Sequence, residues 1–237
     1  MASVPQMLIP ADEHQRLVSL RHYDVTHSLQ EPIFNEFVSL TARIFSLPIS
    51  LIALVEEGQV RYTANFGLPN VKLQPREEAL CATAILHNKA VVYADLATET
   101  SPLITRDAAD AANDKGLRFY AAAPLLTPDE RRIGSLCVID RQPRSFSANE
   151  QRMLERVAQL VSQMVTVRYC CLATPSLGLA HWNLVREQIQ EEIQGLAALT
   201  RYLLTRHGTQ IPVSQDMLTL ITRRLDDLSA VLDQYES

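Results

Sequence analysis

Cysteine is the residue type with the most chemistry available to it in this sequence. Cys81 ends an R-x-x-x-x-C segment, Cys137 lies in the segment GSLCVID, and Cys170 and Cys171 are adjacent. None of the four forms a C-x-x-C pair, and adjacent cysteines do not readily bridge each other. A free thiol can serve redox or thioether chemistry, but a buried cysteine also packs as a small hydrophobe. Packing is the simpler interpretation, and a reactive role for Cys81 or Cys137 is the alternative.

Other catalytic and metal-binding signatures are absent from the sequence. It contains no G-x-S-x-G, no H-E-x-x-H, no P-loop and no G-x-G-x-x-G, and its 7 glycines supply little backbone for cradling phosphate. The 6 histidines do not occur at metal-ligand spacing with a cysteine or a second histidine. We therefore predict that the chain is not an enzyme and binds no metal, and the sequence identifies no cofactor.

Composition excludes two classes of partner. The net charge is −5 and there is no basic run, which argues against nucleic acid, because phosphate binding needs clustered lysine and arginine. No apolar run reaches the ~18 residues needed to span a membrane, and the N-terminal segment MASVPQMLIPADE lacks the pattern of a signal peptide. With 47% apolar residues and no C-x-x-C pair among the cysteines, we expect a cytoplasmic globular protein without a membrane or nucleic-acid partner.

A β-hairpin is predicted in the middle of the chain. Residues 117–126 and 132–139 are apolar runs of strand length, separated by a polar turn. Both runs are apolar at odd and even positions, so both faces of the sheet should be covered, and their small residues allow a neighbour to approach closely. Ser147 and Glu150 then have the spacing of a capping box, which predicts a helix from 148 to about 169.

The remaining elements complete an α+β fold. Residues 49–55 form a continuous apolar run, typical of a central strand, and residues 59–66 form its partner across a Glu57-Gly58 turn. Further helices and one short strand follow from apolar spacing: helices at 12–23, 30–45, 77–88 and 107–113, and a strand at 90–93. This order predicts an antiparallel β-sheet with helices on its faces, followed by an α-helical hairpin.

The hairpin is predicted in residues 174–237, after a first domain of residues 1–173. Its helices, 179–207 and 213–235, each carry one apolar seam. An isolated hairpin cannot bury two seams, so we expect a homodimeric four-helix bundle. The alternative is that the hairpin packs back onto the first domain.

The central segment also resembles a known family. RFYAAAPL, then GSLCVID, then Pro143-Arg144 and a capped helix resemble the second half of a GAF domain, and the resemblance covers roughly the first 170 residues. It implies a cytosolic small-molecule sensor, with the helix around Cys81 and the 95–115 loop covering a pocket on one face of the sheet.

Four features are absent that would have indicated particular ligands of this family. Cys137 stands where GAF proteins that reduce free methionine sulfoxide have an aspartate. Cys81 is followed by Ala82, whereas a bilin-attaching cysteine is usually followed by histidine. No histidine is an obvious haem ligand, and the charged signature of cyclic-nucleotide GAF domains is missing. A non-covalent small-molecule pocket remains.

The C-terminal hairpin has a second resemblance. Ile193-Gln194-Gly195 and the tail LTLITRRLDDLSAVLDQY are similar to the dimerisation hairpin of sensor histidine kinases. The phospho-accepting histidine of that family would fall near Leu184-Val185, and His181, one turn away, is followed by Trp182 instead of an acid. The resemblance therefore implies a hairpin kept for assembly and not for phosphotransfer.

We interpret the chain as a signal-sensing GAF-like protein. Its predicted pocket wall is mostly apolar: Tyr62, Phe66, Cys81, Ile85, Leu103, Phe119, Tyr120, Leu136 and Cys137. Polar groups could come from Tyr62, Thr83, Arg118 and Asp140, although all these residues could equally fill a core. An unidentified small molecule would shift the population of conformations in a dimeric helical bundle, with a signalling protein as a possible partner. Two alternatives remain: a redox, bilin or haem sensor using Cys81 or Cys137, and a ligand-free scaffold whose hairpin binds a protein.

Overall fold

A six-stranded antiparallel sheet forms the centre of the molecule. The computed structural model describes residues 4–68, 72–174, 178–209 and 211–235. The strand order is β3-β2-β1-β6-β5-β4, so β1 and β6 are central, as predicted for the first strand. The strands are β1 (Ile49–Val55), β2 (Gln59–Phe66), β3 (Leu73–Pro75), β4 (Val91–Tyr93), β5 (Phe119–Leu126) and β6 (Arg132–Asp140). The predicted antiparallel sheet and the central hairpin are both confirmed.

Eight α-helices and two 3₁₀ turns surround this sheet in the described part of the chain. The helices are α1 (Glu13–His22), α2 (Val25–Ser28), α3 (Ile33–Phe45), α4 (Cys81–Ala84), α5 (Arg106–Asp114), α6 (Ala148–Ala173), α7 (Gly178–His207) and α8 (Gln215–Asp233). The 3₁₀ turns are Gln6–Leu8 and Arg76–Glu78.

The helix predicted at 77–88 is wrong. Residues 76–78 form a 3₁₀ turn, Ala79 is extended, and α4 has only four residues. The buried side chain of Arg76 explains the break, because its guanidinium reaches the carbonyl of Leu8 at 2.6 Å and the Glu13 carboxylate at 2.6 Å. Satisfying this buried charge sets the backbone here and overrides local helix propensity.

One glycine permits the closest approach between the two central strands. A Cβ atom on Gly134 would lie 2.1 Å from the carbonyl oxygen of Ala53, which is far inside van der Waals contact. Gly134 pairs with Leu54 in the register of β6 against β1. At this position the small residue therefore accommodates the neighbouring strand.

Four long helices cover one face of the sheet, which we call the helical face. Ile52, Phe119 and Leu136 project from it into a core shared with α3, α6, α7 and α8. Helix α6 begins with the predicted capping box. The Ser147 hydroxyl accepts from the Glu150 amide at 3.2 Å, and the Glu150 carboxylate accepts from the Ser147 amide at 2.7 Å.

The C-terminal hairpin packs on its own chain. The indole N–H of Trp182 on α7 donates to both carboxylate oxygens of Glu31 at 3.0 Å, and the amide of Val213 donates to Glu150 at 3.1 Å. The buried seam residues of α7 and α8, from Trp182 to Leu232, belong to the core of the helical face. The alternative arrangement is therefore the observed one, and the seams need no second copy. A homodimer stays a prediction, but the unburied seams from which it was predicted are buried within the same chain.

Two apolar residues of the predicted helices are largely exposed. Val18 on α1 is 46% exposed, and Leu220 on α8 is 43% exposed. In α1 the buried position belongs to Arg16, whose guanidinium donates to the carbonyl of Val55 at 2.6 Å. The predicted boundary after residue 173 leads into residues 175–177, which lie outside the described residues.

The opposite face, which we call the pocket face, has a much shorter cover. The 3₁₀ turn at Arg76–Glu78, helix α4 and the nine-residue helix α5 lie over Leu51, Tyr120 and Cys137. The N-cap Thr105 of α5 also donates its hydroxyl to the carbonyl of Glu77, which ties α5 to the 3₁₀ turn.

Candidate functional site

Strand alternation brings four chemistry-bearing side chains to the pocket face. Cys137 faces Leu51 on one side and Ala122 on the other, and Ser135 lies two residues before it on the same face. Tyr120 pairs with Ile139, and Tyr62 pairs with Ala53. Helix α4 starts at Cys81 and lays this residue against the strands, so both predicted cysteines meet in one cluster.

Each of the two thiols shifts the pKa of the other. The Cys137 thiol donates a hydrogen bond to the Cys81 sulfur, which lowers the pKa of Cys81 against the opposing effect of burial. Burial and the same hydrogen bond raise the pKa of Cys137 well above its usual range. Cys81 is therefore the better thiolate of the pair, and Cys137 is the proton-bearing partner.

Two buried hydroxyls face this pair. Tyr120 Oη and Ser135 Oγ make no close hydrogen bond among the described residues, although the two side chains are 1% and 0% exposed. Both lie near enough to Cys81 to act as donors that lower its pKa. Burial and the neighbouring thiols raise the pKa of Tyr120, so its hydroxyl keeps its proton. The Tyr93 ring stacks on Tyr120 with centroids 5.9 Å apart.

A small cavity opens beside Cys81. Its volume is about 30 Å³, where one water needs roughly 10–15 Å³ and a drug-sized ligand site occupies roughly 300–1,000 Å³. Its lining comes from the sheet, from the segment around the 3₁₀ turn and α4, and from α5 with the residues after it. The lining residues are Leu51, Tyr62, Leu68, Gln74, Glu78, Leu80, Cys81, Ala108, Ala111, Ala112, Lys115, Leu117, Tyr120 and Ile139. The cavity therefore has room for about two water molecules.

Polar groups join one side of the cavity to its cover. The Tyr62 hydroxyl donates to Gln74 Oε1 at 2.9 Å, and Lys115 Nζ donates to the same oxygen at 3.5 Å. The Gln74 amide in turn donates to the Glu78 carbonyl at 2.8 Å. Burial and the nearby thiols raise the pKa of Tyr62, which keeps this hydroxyl a donor. The apolar cavity therefore has one polar side, as binding pockets commonly do.

The structure places part of the predicted pocket wall at the cavity. Tyr62, Cys81 and Tyr120 line the cavity, and Ile85 and Cys137 are buried beside it in the same core. Phe119 and Leu136 lie on the helical face, which corrects their assignment to the wall. The reason is the two-residue period of a strand, which sends the neighbours of Tyr120 and Cys137 to the other side of the sheet.

The other predicted residues lie away from the cavity. Phe66 is 36% exposed at the end of β2, and Leu103 is half-buried in the loop before α5. Arg118 makes a bidentate pair with Asp95, at 2.7 Å for each bond. The Asp140 carboxylate accepts from the Arg141 amide at 2.6 Å and so caps the turn after β6 instead of lining the cavity. Thr83 is buried and bonds the Leu80 carbonyl.

Sequence reasoning missed the cover residues and the hydroxyl of Ser135. Ala108, Ala111 and Ala112 have helical i, i+3, i+4 spacing, a signal for a small-residue face on α5 that was available in the sequence. Nothing local indicated that Gln74 and Glu78 would line the cavity, because they lie in a segment predicted to be loop and helix.

The described residues contain neither a metal-binding cluster nor a membrane-spanning helix. Among residues 4–68, 72–174, 178–209 and 211–235, no group of three or more His, Cys, Asp or Glu side chains could hold a metal ion. Over the same described ranges, no helix has the length and apolar character needed to cross a membrane.

Comparison with known proteins identifies the sheet-containing part of the chain. A family model described as GAF domain matches residues 27–166. A cyclic di-GMP phosphodiesterase of Pseudomonas aeruginosa is 31% identical over 193 residues, which cover 81% of this chain and 32% of the relative. The chain thus spans about a third of the curated relative that it matches.

Solved structures of GAF domains align with this chain at low similarity. A GAF domain region from Geobacter sulfurreducens is 25% identical, with a TM-score of 0.46, covering 58% of this chain and 93% of that one. The GAF domain of an Acinetobacter phosphoenolpyruvate-protein phosphotransferase is 16% identical, with a TM-score of 0.47, covering 64% and 92%.

The curated relative corrects one prediction. We predicted from the absence of catalytic motifs that the chain is not an enzyme, and this is contradicted because the relative is named as a phosphodiesterase. The absence of known catalytic motifs excludes only the reactions that those motifs serve. The match covers 32% of the relative.

Proposed function

Because this chain belongs to the GAF domain family, we propose that it senses a small molecule and thereby controls the hydrolysis of cyclic di-GMP. The observation that carries the proposal is the match to a cyclic di-GMP phosphodiesterase. The stretch from residue 1 to the end of α6 at 173 is shorter than the 193-residue match, so the similarity also includes part of the hairpin. Similarity over both parts supports a sensor and a hairpin that act as one unit.

The ligand site we propose is the cavity of the pocket face. Its wall combines Leu51 and Ala112 with the polar group of Tyr62, Gln74 and Lys115, so a small, mostly apolar ligand with one polar end fits its chemistry. At about 30 Å³ the cavity must enlarge to admit anything bigger than two waters. The cover can supply that space, because α5 is short and presents alanine to the cavity.

Helix α6 is the element that would carry the signal. It packs on β5 of the sheet and on both hairpin helices, and its residue Glu150 accepts from Arg144 at 2.8 Å and from the Val213 amide at 3.1 Å. A ligand that favours one position of the pocket-face cover would shift the sheet and α6 between two populations. The hairpin, sharing a core with α6, would move with them.

The test is a cavity-filling substitution on α5. Ala112→Leu places a larger side chain in the cavity, and Ala109→Leu places the same side chain on the exposed surface of the same helix. We expect cyclic di-GMP, measured by mass spectrometry in the host cell, to differ about fivefold between the two variants, the low end of usual allosteric couplings. Equal cyclic di-GMP in both variants, in the wild type and in a strain without the chain would overturn the proposal.

Native mass spectrometry with an absorption spectrum of the same sample addresses the ligand and the assembly. A bound mass that is retained by Ala109→Leu and lost by Ala112→Leu would place the ligand in the cavity. We also keep the homodimer as a proposal. It would have to use a surface other than the buried seams, such as the exposed side chains of Leu179, Leu184 and Tyr202 on α7, which are 63%, 65% and 57% exposed.

A further inference from the structure

The paired thiols and the cavity beside them carry an inference that is independent of cyclic di-GMP. Cys81 lines the cavity, and Cys137 lies behind it at 0% exposed, in the centre of the sheet. We propose that Cys81 and Cys137 form a peroxide-reactive dithiol, in which Cys81 attacks a small hydroperoxide and Cys137 closes a disulfide.

The size and position of the cavity select the substrate class. At its described volume of about 30 Å³ it accepts a molecule of roughly two oxygen atoms, such as hydrogen peroxide, without any movement of the cover. Cys81 contributes to the lining and Cys137 does not, so the oxidant meets Cys81 first. The polar side of the cavity, with Gln74 and Lys115, can bond the second oxygen of the peroxide.

Two buried hydroxyls complete the site. Tyr120 Oη and Ser135 Oγ have no hydrogen-bond partner among the described residues. Tyr120 lines the same cavity as Cys81, and Ser135 lies two residues before Cys137 on the same face of β6. An unsatisfied buried hydroxyl costs stability, so two of them beside one thiol suggest that they serve a state in which the sulfur carries negative charge. Each can donate to a thiolate on Cys81, which makes that thiolate easier to form inside an apolar core.

The proposed chemistry is a balanced two-electron oxidation. The Cys81 thiolate attacks one peroxide oxygen; the O–O bond breaks, an S–O bond forms, and hydroxide leaves and takes up the proton that Cys81 lost. Cys137 then attacks the sulfenic acid; an S–S bond forms, the S–O bond breaks, and hydroxide leaves with the Cys137 proton as water. In total, two thiols and one hydrogen peroxide yield one disulfide and two waters.

The test is mass spectrometry of the full chain treated with hydrogen peroxide. A Cys170→Ser/Cys171→Ala background removes the other two thiols. In this background we expect the loss of two hydrogens and a cross-linked peptide pair containing Cys81 and Cys137. Adding Cys137→Ser should stop the reaction at a sulfenic acid on Cys81, trapped by dimedone, whereas adding Cys81→Ser should abolish the reaction.

A further variant separates a reactive site from a merely packed one. Ser135→Ala removes one donor to the reacting sulfur, and we expect the oxidation to slow about fivefold, as for one lost hydrogen bond. Ser101 lies outside the cavity lining and offers a control, Ser101→Ala, whose rate should match the background. Circular dichroism checks that each variant folds. The proposal is overturned if the folded background protein keeps both thiols after peroxide treatment, or if Cys81→Ser and the background lose thiols at the same rate.

Discussion

The two faces of the sheet are held by different physical means. On the helical face, α3, α6, α7 and α8 bury one continuous apolar core that includes Trp182 and Ile189. On the pocket face, short segments cover a smaller apolar core and are tied down by individual polar bonds. The Tyr93 hydroxyl donates to Thr83 at 3.2 Å, and Thr105 donates to the Glu77 carbonyl.

This difference shows where the molecule can change shape at the lowest cost. A buried large apolar side chain contributes about 1.5–3 kcal/mol, whereas a typical hydrogen bond contributes about 0.5–1.5 kcal/mol net. The cover of the pocket face can therefore open without disturbing the core on the other side. The cavity and the two thiols both lie under the cover that is easier to move.

Two matched isoleucines test the difference between the two faces most directly. Ile189 on α7 and Ile85 after α4 are both fully buried, one on each face. We expect Ile189→Ala to cost about 4–5 kcal/mol and Ile85→Ala about 2 kcal/mol, because the cost of a cavity depends on how far its surroundings can collapse. Urea denaturation measures both values. Equal costs would mean that the two faces are equally rigid.

A smaller effect is expected where the two faces share their central strands. Gly134→Ala would push a Cβ atom against the Ala53 carbonyl, and we expect it to cost about 1–3 kcal/mol, as overpacking does. Gly58→Ala is the control, because a Cβ atom there would meet nothing within 4 Å. We expect it to change the free energy of unfolding by at most about 1 kcal/mol. Thermal denaturation of the two variants would contradict this account if their melting temperatures fell equally.

The smallest expected effect is a pH dependence at the anchor of the pocket-face cover. Burial alone would raise the pKa of Glu13, but hydrogen bonds from Arg16 and Arg76 lower it below its ordinary value of 4.5. A carboxylate with a lowered folded-state pKa stabilises the fold above its unfolded-state pKa, and this contribution is lost as pH falls through the folded-state value. We therefore expect the free energy of unfolding of the wild type to fall below about pH 4.5.

Substitution isolates this contribution. Glu13→Gln should be less stable at neutral pH, because it leaves Arg16 and Arg76 without a charged partner, and its stability should fall less on acidification. Glu36→Gln, at an exposed position on α3, should keep the wild-type slope. Denaturant titrations between neutral and acid pH measure both slopes. A wild-type slope in Glu13→Gln would mean that Glu13 does not anchor the cover.

Elements specified by neighbouring residues were predicted well. The capping box of Ser147 and Glu150 needs only a spacing of three residues, and it appears in the structure as predicted. The strands of the central hairpin follow from two apolar runs and a polar turn, and they pair in the predicted antiparallel way. The segment after Pro75 was mispredicted because its conformation depends on contacts of Arg76 with residues far away in the chain.

The candidate site was only partly predictable for the same reason. Cys81 and Cys137 were identified by type and family resemblance, but their hydrogen bond depends on where α4 lies across the sheet. Because both parities of β5 and β6 are apolar, the pattern did not indicate whether Phe119 or Tyr120 would face the cavity. Parity becomes informative only when one face is polar.

The sequence alone determined the longer strands, the long helices and the antiparallel hairpin, because apolar periods of two and 3.6 residues and local caps are properties of neighbouring residues. Only the tertiary structure decided what covers each face, where the seams of α7 and α8 are buried, and which thiol meets the cavity. An apolar seam specifies that it must be buried, but hydrophobic burial is non-directional and does not name its partner. Here the partner is the helical face of the same chain.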